Sequence, residues 1–253
     1  MKKTALITGA GSGIGQATAI KLSQDGYSII VVGRRQIALE ETVSKLAGGD
    51  HKMMSVDVGN KKDFSAMLKN TLSVKDNLVA VFANAGIGGE NKYGDEDRWE
   101  SIIQTNLSGP YYTIMECLPF LEKSTSDFKH VLITGSCLSR FGVPNYPAYI
   151  ASKSGVNGLA KALAIDFASK KILVNAILPG WVETDMAKQG IRLLAEADNK
   201  PYQDAFDEQM GYVPLNKMSQ PEEIAGFVSY LFSGKQSSMT GQSIDINNGA
   251  FMI

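Results

Sequence analysis

The sequence predicts an α/β protein, a doubly wound and mostly parallel seven-stranded sheet with helices on both faces. Three observations predict it. Short apolar runs without strict polar alternation recur along the chain, as strands buried on both faces require. Longer amphipathic stretches separate them, so successive runs read as parallel strands joined by crossover helices. A glycine-rich turn, Thr8-Gly9-Ala10-Gly11-Ser12-Gly13-Ile14-Gly15, follows the first run and opens the first helical stretch. That placement favours an open sheet over a closed eight-fold barrel.

The expected strands are Thr4–Thr8, Ser28–Val32, Lys52–Val56, Leu78–Ala83, His130–Gly135, Leu173–Leu178 and Ser243–Ile246. The expected helices are Ile14–Asp25, Glu40–Leu46, Asp63–Ser73, Asp97–Leu121, Pro147–Ser169 and Pro221–Phe232. Strand and helix units at this spacing fit residues 1–253 as one doubly wound domain. From Gly180 to Met218 the rhythm breaks: the stretch is polar and carries Gly190, Pro201, Gly211 and Pro214. Strandless segments longer than about 15 residues in a compact domain are usually functional. Residues 185–215 or so are therefore expected to form a substrate lid with short helices, the alternative being an insertion that only packs.

Composition narrows the function. The 253 residues are 44% hydrophobic and 20% charged with a net charge of -1, which excludes a disordered chain. A pI near 6.2 gives no electrostatic reason to bind nucleic acid or an anionic membrane. No apolar run reaches the ~18 residues of a membrane span, and glycines from Gly9 onward interrupt the stretch after Met1-Lys2-Lys3, so no signal peptide is expected. Cys117 and Cys137 make neither a disulfide framework nor a zinc site, and a cytoplasmic location is expected. His51 and His130 lack companions at metal-ligand spacing, so no metal is expected. Gly135-Ser136-Cys137-Leu138-Ser139 does not match the G-x-S-x-G of a serine hydrolase.

The glycine turn suits a pyrophosphate. Gly9, Gly13 and Gly15 form a G-x-x-x-G-x-G pattern that lets backbone approach phosphate. Ser12, Gly13 and Ile14 lie where a helix N-terminus offers free N–H groups and partial positive charge. The second strand then selects the dinucleotide. An NAD site wants a carboxylate at this strand's end for the ribose 2′-hydroxyl, but the chain reads Val31-Val32-Gly33-Arg34-Arg35. Two guanidinium groups suit a 2′-phosphate. NADP(H) is the preferred cofactor, with NAD(H) as the alternative. Tyr149 and Lys153 stand four apart on an expected helix, so both emerge on one face. Ser136, thirteen residues before Tyr149, ends the fifth strand on the same sheet edge as the glycine turn.

This series of motifs resembles the short-chain dehydrogenase/reductase family, in its single-domain branch of about 250 residues, over essentially the whole chain. Asp57-Val58 resembles the family's adenine-contacting pair, and Asn84-Ala85-Gly86 its N-A-G motif, with Ala83 where another Asn is often found. Asn106 matches its helical Asn, Ser136 its catalytic Ser, and Tyr149-Ile150-Ala151-Ser152-Lys153 its Y-x-x-x-K. Pro179, Gly180, Val182 and Thr184 lie in a segment similar to its P-G…T, which contacts the nicotinamide amide. The resemblance implies carbonyl reduction and its reverse, with Tyr149 as general acid or base. Lys153 would lower the Tyr149 pKa and bind the nicotinamide ribose, Ser136 would donate to the substrate oxygen, and Asn106 would hold a proton-relaying water.

There are departures: Gly135 before Ser136, Cys137 after it, Asn247-Asn248-Gly249 for D-G-G, and Ser12 where many NADP(H) members are basic. The short C-terminal segment is similar to that of 3-oxoacyl-carrier-protein reductases, whereas the long lid also occurs in members acting on sugars and polyols. The expected function is an NADP(H)-dependent oxidoreductase acting on a ketone/secondary-alcohol pair, a 3-oxoacyl thioester among them. The alternatives are an NAD(H)-linked sugar, polyol or hydroxy-acid dehydrogenase and, more remotely, a non-catalytic dinucleotide sensor. The partner is a small-molecule carbonyl or alcohol, not nucleic acid or membrane. By resemblance the helices from Asp97 and Pro147 would build a homo-oligomer, a tetramer or dimer.

Overall fold

Each expected apolar run forms a strand: the five inner ones exchange backbone hydrogen bonds with neighbours on both sides, the two edge strands with one, and helices cover the sheet. The structure, a computed structural model, describes residues 2–91 and 94–252, so Met1 and Ile253, the ends of the expected unit, lie outside the described residues. The strands are β1 (Thr4–Thr8), β2 (Ser28–Gly33), β3 (Lys52–Ser55), β4 (Leu78–Ala83), β5 (Lys129–Thr134), β6 (Ile172–Pro179) and β7 (Ser243–Ile246). Among the described residues they form one seven-stranded sheet in the order β3-β2-β1-β4-β5-β6-β7, and every neighbouring pair is parallel. The chain runs outward from β1 through β2 to β3, then returns to the other side of β1 as β4. The carboxyl ends of β1 and β4 therefore flank the crevice where strand order reverses, the usual ligand position in open α/β sheets.

Alternation along each strand divides the core into two layers. Leu6 of β1 faces one side with Ile30, Val81, Ile133 and Val174, while Ala5 and Ile7 face the other with Ile29, Val31 and Phe82. The first layer is covered by α3 (Lys61–Thr71), α5 (Gly109–Glu122) and α6 (Pro147–Phe167) through Phe64, Ile114 and Val156. The second is covered by α1 (Gly13–Gln24), α2 (Gln36–Ser44) and α9 (Pro221–Phe232) through Leu22, Leu39 and Val228.

Two helices depart from expectation. Helix α2 begins at Gln36, four residues before the expected Glu40; Arg35 makes no capping bond and the first turn is without acidic residues. No start signal marks it. The expected helix Asp97–Leu121 is interrupted: α4 (Trp99–Ile103) passes through a π turn, Gln104–Ser108, before α5 begins. Pro110 has no N–H, so the carbonyl four residues back, that of Asn106, has no α-helical donor, and Gly109 N–H bonds to Gln104 instead.

The strandless segment forms two helices, α7 (Asp185–Ala197) and α8 (Tyr202–Gly211). Ala187, Ile191 and Ala195 share one face of α7 and pack on Ala205, Met210 and Val213, a third apolar cluster separate from the two sheet layers. Both roots of the segment are pinned together by a parallel bridge between Val182 and Ser219, with Ser219 N–H donating to Trp181 O at 2.9 Å and Glu183 N–H to Ser219 O at 2.9 Å.

The two histidines have structural places. His51 accepts from Ile29 N–H at 3.1 Å through Nδ1 and reaches Ala47 O at 3.0 Å through Nε2. His130 is buried at the start of β5 with its ring 5.8 Å from that of Phe232, and burial pushes its pKa down to about 4. The unfolded chain, with an ordinary value near 6.5, binds the proton first, so stability contributed by neutral His130 is full above about pH 6.5 and is lost as pH falls toward about 4. The expected loss is about 3 kcal/mol. A Tm measured at about pH 5 should fall below that at about pH 7, and His130→Leu should flatten the difference. An unchanged slope in that variant would assign the effect to other groups.

Candidate active site

The crevice is built by close backbone contacts that side chains would block. Gly9 and Gly13 adopt positive φ, +67° and +52°. A Cβ on Gly9 would lie 2.9 Å from Ala85 Cα, and one on Gly15 would lie 2.3 Å from Gly9 O. The glycine turn thus folds onto itself and onto the end of β4. Ser12 precedes α1 without a side-chain capping bond, so its hydroxyl leaves the first-turn N–H groups around Ile14 uncapped. At the strand ends, Thr8 Oγ1 accepts from both Asn84 N–H and Ala85 N–H at 3.0 Å, and Asn84 Nδ2 donates to Thr8 O at 3.2 Å. Thr134 Oγ1 donates to Asn84 Oδ1 at 3.0 Å, tying the ends of β1, β4 and β5 together.

Around the far side of the crevice, Arg35 Nη2 donates to Ser12 Oγ at 3.3 Å, and Arg34 lies 3.8 Å from Asp57. Both partners of the second contact are exposed, so it contributes little to stability. Asp57 Oδ1 accepts from Gly59 N–H at 2.8 Å. Val58 is buried against Gly109, so only its backbone is free to meet a ligand. Across the crevice, Gly180 N–H donates to Ile246 O at 3.0 Å after Pro179 ends β6. Val182 is buried in its bridge, and Thr184 caps α7 by accepting from Ala187 N–H at 3.3 Å. The Thr184 methyl would be 2.8 Å from a Cβ on Gly13, so α7 begins directly against the glycine turn. Met186 lies over Gly88 in the loop after β4.

Asn106, Ser136, Tyr149 and Lys153 converge beside this crevice. Asn106 is fully buried at the π turn; its Oδ1 accepts from Ile87 N–H at 2.8 Å and its Nδ2 donates to Ile87 O at 2.9 Å. Gly86 sits between it and Lys153: a Cβ there would lie 3.3 Å from Asn106 Oδ1 and 3.5 Å from Lys153 Nζ. Lys153 Nζ donates to Thr134 O at 2.8 Å and lies 5.7 Å from the centre of the Tyr149 ring. Ser136 Oγ accepts from Leu138 N–H at 3.1 Å, which leaves its hydroxyl proton to be donated elsewhere.

One expectation is corrected. The Lys153 ammonium was expected to lower the Tyr149 pKa, but burial instead pushes the phenol up to about 12, with a hydrogen bond to Ser136 only partly opposing it. Lys153 is itself pushed down to about 8 by burial. Three residues of the site carry no sequence signal of their own: Thr8, Thr134 and Ser152, whose hydroxyl donates to Tyr149 O at 2.7 Å and accepts from Asn106 Nδ2 at 3.4 Å. A short polar residue at the end of a buried strand is the one cue that could have pointed to Thr8 and Thr134. Among the described residues no helix is long and apolar enough to cross a membrane.

Fold and site together define an oxidoreductase of the dinucleotide-binding α/β class. The family model described as enoyl-(acyl carrier protein) reductase matches residues 9–250. The chain belongs to the short-chain dehydrogenase/reductase family. The 3-oxoacyl-[acyl-carrier-protein] reductase FabG of Staphylococcus aureus is 33% identical over 260 residues, covering 100% of this chain and 99% of the relative. A cyclohexanol dehydrogenase of Acinetobacter sp. is 32% identical over 254 residues, covering 98% and 94%. A solved structure of a variant actinorhodin polyketide ketoreductase with NADPH superposes with a TM-score of 0.91 at 29% identity, covering 98% of this chain and 97% of that one.

Proposed function

We propose that the protein is an NADP(H)-dependent ketoreductase acting on a ketone/secondary-alcohol pair, with 3-oxoacyl thioesters as the leading substrate class. The observation that carries the reading is the convergence of Tyr149, Lys153 and Ser136, whose hydroxyl is hydrogen-bonded to Tyr149, at the edge that holds the glycine turn. The full-length likeness to a 3-oxoacyl carrier-protein reductase and to a polyketide ketoreductase supports the substrate class.

The residues fit a dinucleotide. Gly9, Gly13 and Gly15 leave a cradle that any Cβ would fill, and the start of α1 offers uncapped N–H groups. Asp57, the backbone of Val58, and Asn84-Ala85-Gly86 would line the adenosine and ribose side; Pro179, Gly180, Val182 and Thr184 would line the nicotinamide side. Bound NADPH supplies the hydride. The chain's own part is the proton and the charge. Tyr149, held protonated by burial, donates its proton to the substrate oxygen, and Ser136 donates a hydrogen bond to the same atom. Lys153 holds the ribose. The Asn106 carbonyl, released from α-helical pairing by Pro110, would hold the water that returns a proton toward Lys153.

The same reading makes residues 185–215 a lid within one catalytic domain: α7 begins against Gly13 and Met186 reaches the loop after β4. It includes a homo-oligomer built on α5 and α6, where Tyr111 and Ile165 are exposed, and a cytoplasmic location, in keeping with two cysteines that are both free.

The test is a fluorescence titration with NADPH and NADH, followed by an assay of acetoacetyl-coenzyme A reduction. NADPH should bind more tightly. Because the Arg34 contact to Asp57 is exposed, the guanidinium can pair with a 2′-phosphate, and Arg34→Ala should weaken NADPH on the order of ten-fold with NADH little changed. Equal binding of the two cofactors would place Arg34 and Arg35 in solvent and favour an NAD(H)-linked dehydrogenase of polyols or hydroxy acids.

A further inference from the structure

We propose that Asn157 is a positioning residue for Ser136, acting through Ser139; the proposal rests on the reading of Ser136 as the donor to the substrate oxygen. Asn157 stands four residues after Lys153 and eight after Tyr149 on α6, so the three share one stripe of the helix. That stripe faces the end of β5 and the short turn Cys137–Ser139 beyond it. Two of its side chains hold the chain on either side of Gly135, Lys153 directly at a backbone carbonyl and Asn157 through a hydroxyl. Lys153 Nζ donates to Thr134 O at 2.8 Å. Asn157 Nδ2 donates to Ser139 Oγ at 2.9 Å, and Ser139 Oγ donates to Ser136 O at 2.7 Å.

The direction of this chain is forced. A hydroxyl has one proton, and that of Ser139 is committed to the Ser136 carbonyl, so Ser139 can only accept from Asn157. Asn157 must therefore present its nitrogen to Ser139. Its Oδ1 is buried and has no hydrogen-bond partner among the described residues. A buried carbonyl without a donor is unfavourable. The amide keeps this orientation because the donor side is held to the serine turn. On the opposite side, Arg140 Nη2 donates to Ser243 O at 3.0 Å and to Asp245 at 2.9 Å on β7. The turn that carries Ser136 is thus held between α6 and the sheet's last strand. A hydroxyl that must meet charge as it develops on the substrate oxygen depends on such support, because small displacements of a donor lower the rate without preventing binding.

The test compares Asn157→Ala, Ser139→Ala, Ser139→Thr and Ser136→Ala, alone and combined, using acetoacetyl-coenzyme A and NADPH as probes. Ser136→Ala should lower kcat by about 100-fold. Asn157→Ala and Ser139→Ala should each lower kcat by about ten-fold, with KM for the thioester and fluorescence-measured NADPH affinity unchanged. The two together should cost no more than either, Ser139→Thr should retain activity, and Asn157→Ala should cost nothing further in the Ser136→Ala background. Ser139→Ala gives the same readout if Asn157→Ala does not fold. Wild-type kcat with a lowered Tm in both single variants would show that the chain only stabilises the turn and would overturn the proposal. An undiminished cost of Asn157→Ala in the Ser136→Ala background would overturn it as well. Wild-type kcat in Ser136→Ala would instead overturn the functional reading beneath it.

Discussion

Tyr149→Phe is expected to abolish ketone reduction while leaving NADPH bound. The change removes one oxygen atom and keeps the ring, with its contact to Lys153 and its edge-on contact to Tyr146 at 6.3 Å. Cofactor affinity, read by fluorescence titration, should therefore be preserved. Turnover should fall by about 10² to 10⁴-fold, the usual worth of a positioned acid. The pH dependence follows from the same burial. With the phenol pushed up to about 12, Tyr149 stays protonated across the neutral range and is fit to donate. Lys153, pushed down to about 8, loses its charge first. The reductive kcat should hold below about pH 8 and decline above it as the ammonium that supports the site is neutralised. Turnover retained by Tyr149→Phe would mean that the proton comes from another group.

Gly15→Ala is expected to be the most damaging single methyl in the molecule. Its Cβ would stand 2.3 Å from Gly9 O and 2.8 Å from both Gly9 C and Asn84 Nδ2. Two of those atoms are backbone of the glycine turn, and the third is the amide that ties β1 to β4 and β5. None can yield without opening the cradle. The protein should lose saturable NADPH binding and about 1–3 kcal/mol of stability. Gly226→Ala is the matched control: it lies in α9 with nothing within 4 Å of its Cβ. Relief of helix propensity should make that variant neutral or up to about 1 kcal/mol more stable. Equal Tm and equal cofactor affinity in the two variants would show that the turn relaxes freely, against the close packing described.

The sequence made the sheet legible because burial on both faces leaves a plain trace. The expected bounds of β1, β4 and β7 match, and the other strands differ by a residue at one or both ends. Helix α2 was harder to place because its first turn has neither a capping side chain nor a carboxylate. The break in the long helix was written in Gly109-Pro110, but apolar periodicity carries on through a π turn and masks it. In the site, Tyr149, Lys153, Ser136 and Asn106 could be read from spacing and resemblance. The contacts of Thr8, Thr134 and Ser152 could not, because they depend on backbone groups brought together from separate strands and helices. The direction of the Tyr149 pKa needed depth of burial, which a four-residue spacing does not report.

The cluster formed by Ile191, Met210 and Val213 has a consequence for how this protein can change. It is separate from both layers that hold the sheet, and Trp181 and Ala250 pack against it at its margin. Substitutions inside it leave the apolar contacts of β1, β4 and β5 untouched. Mutational tolerance is thereby partitioned: the segment from α7 to α8 can be diversified as an interchangeable module, while the sheet and the helices that cover it keep their sequence. A library restricted to α7 and α8 should yield folded proteins at a higher rate than one of equal size spread over α5 and α6, whose inward residues are shared with the sheet.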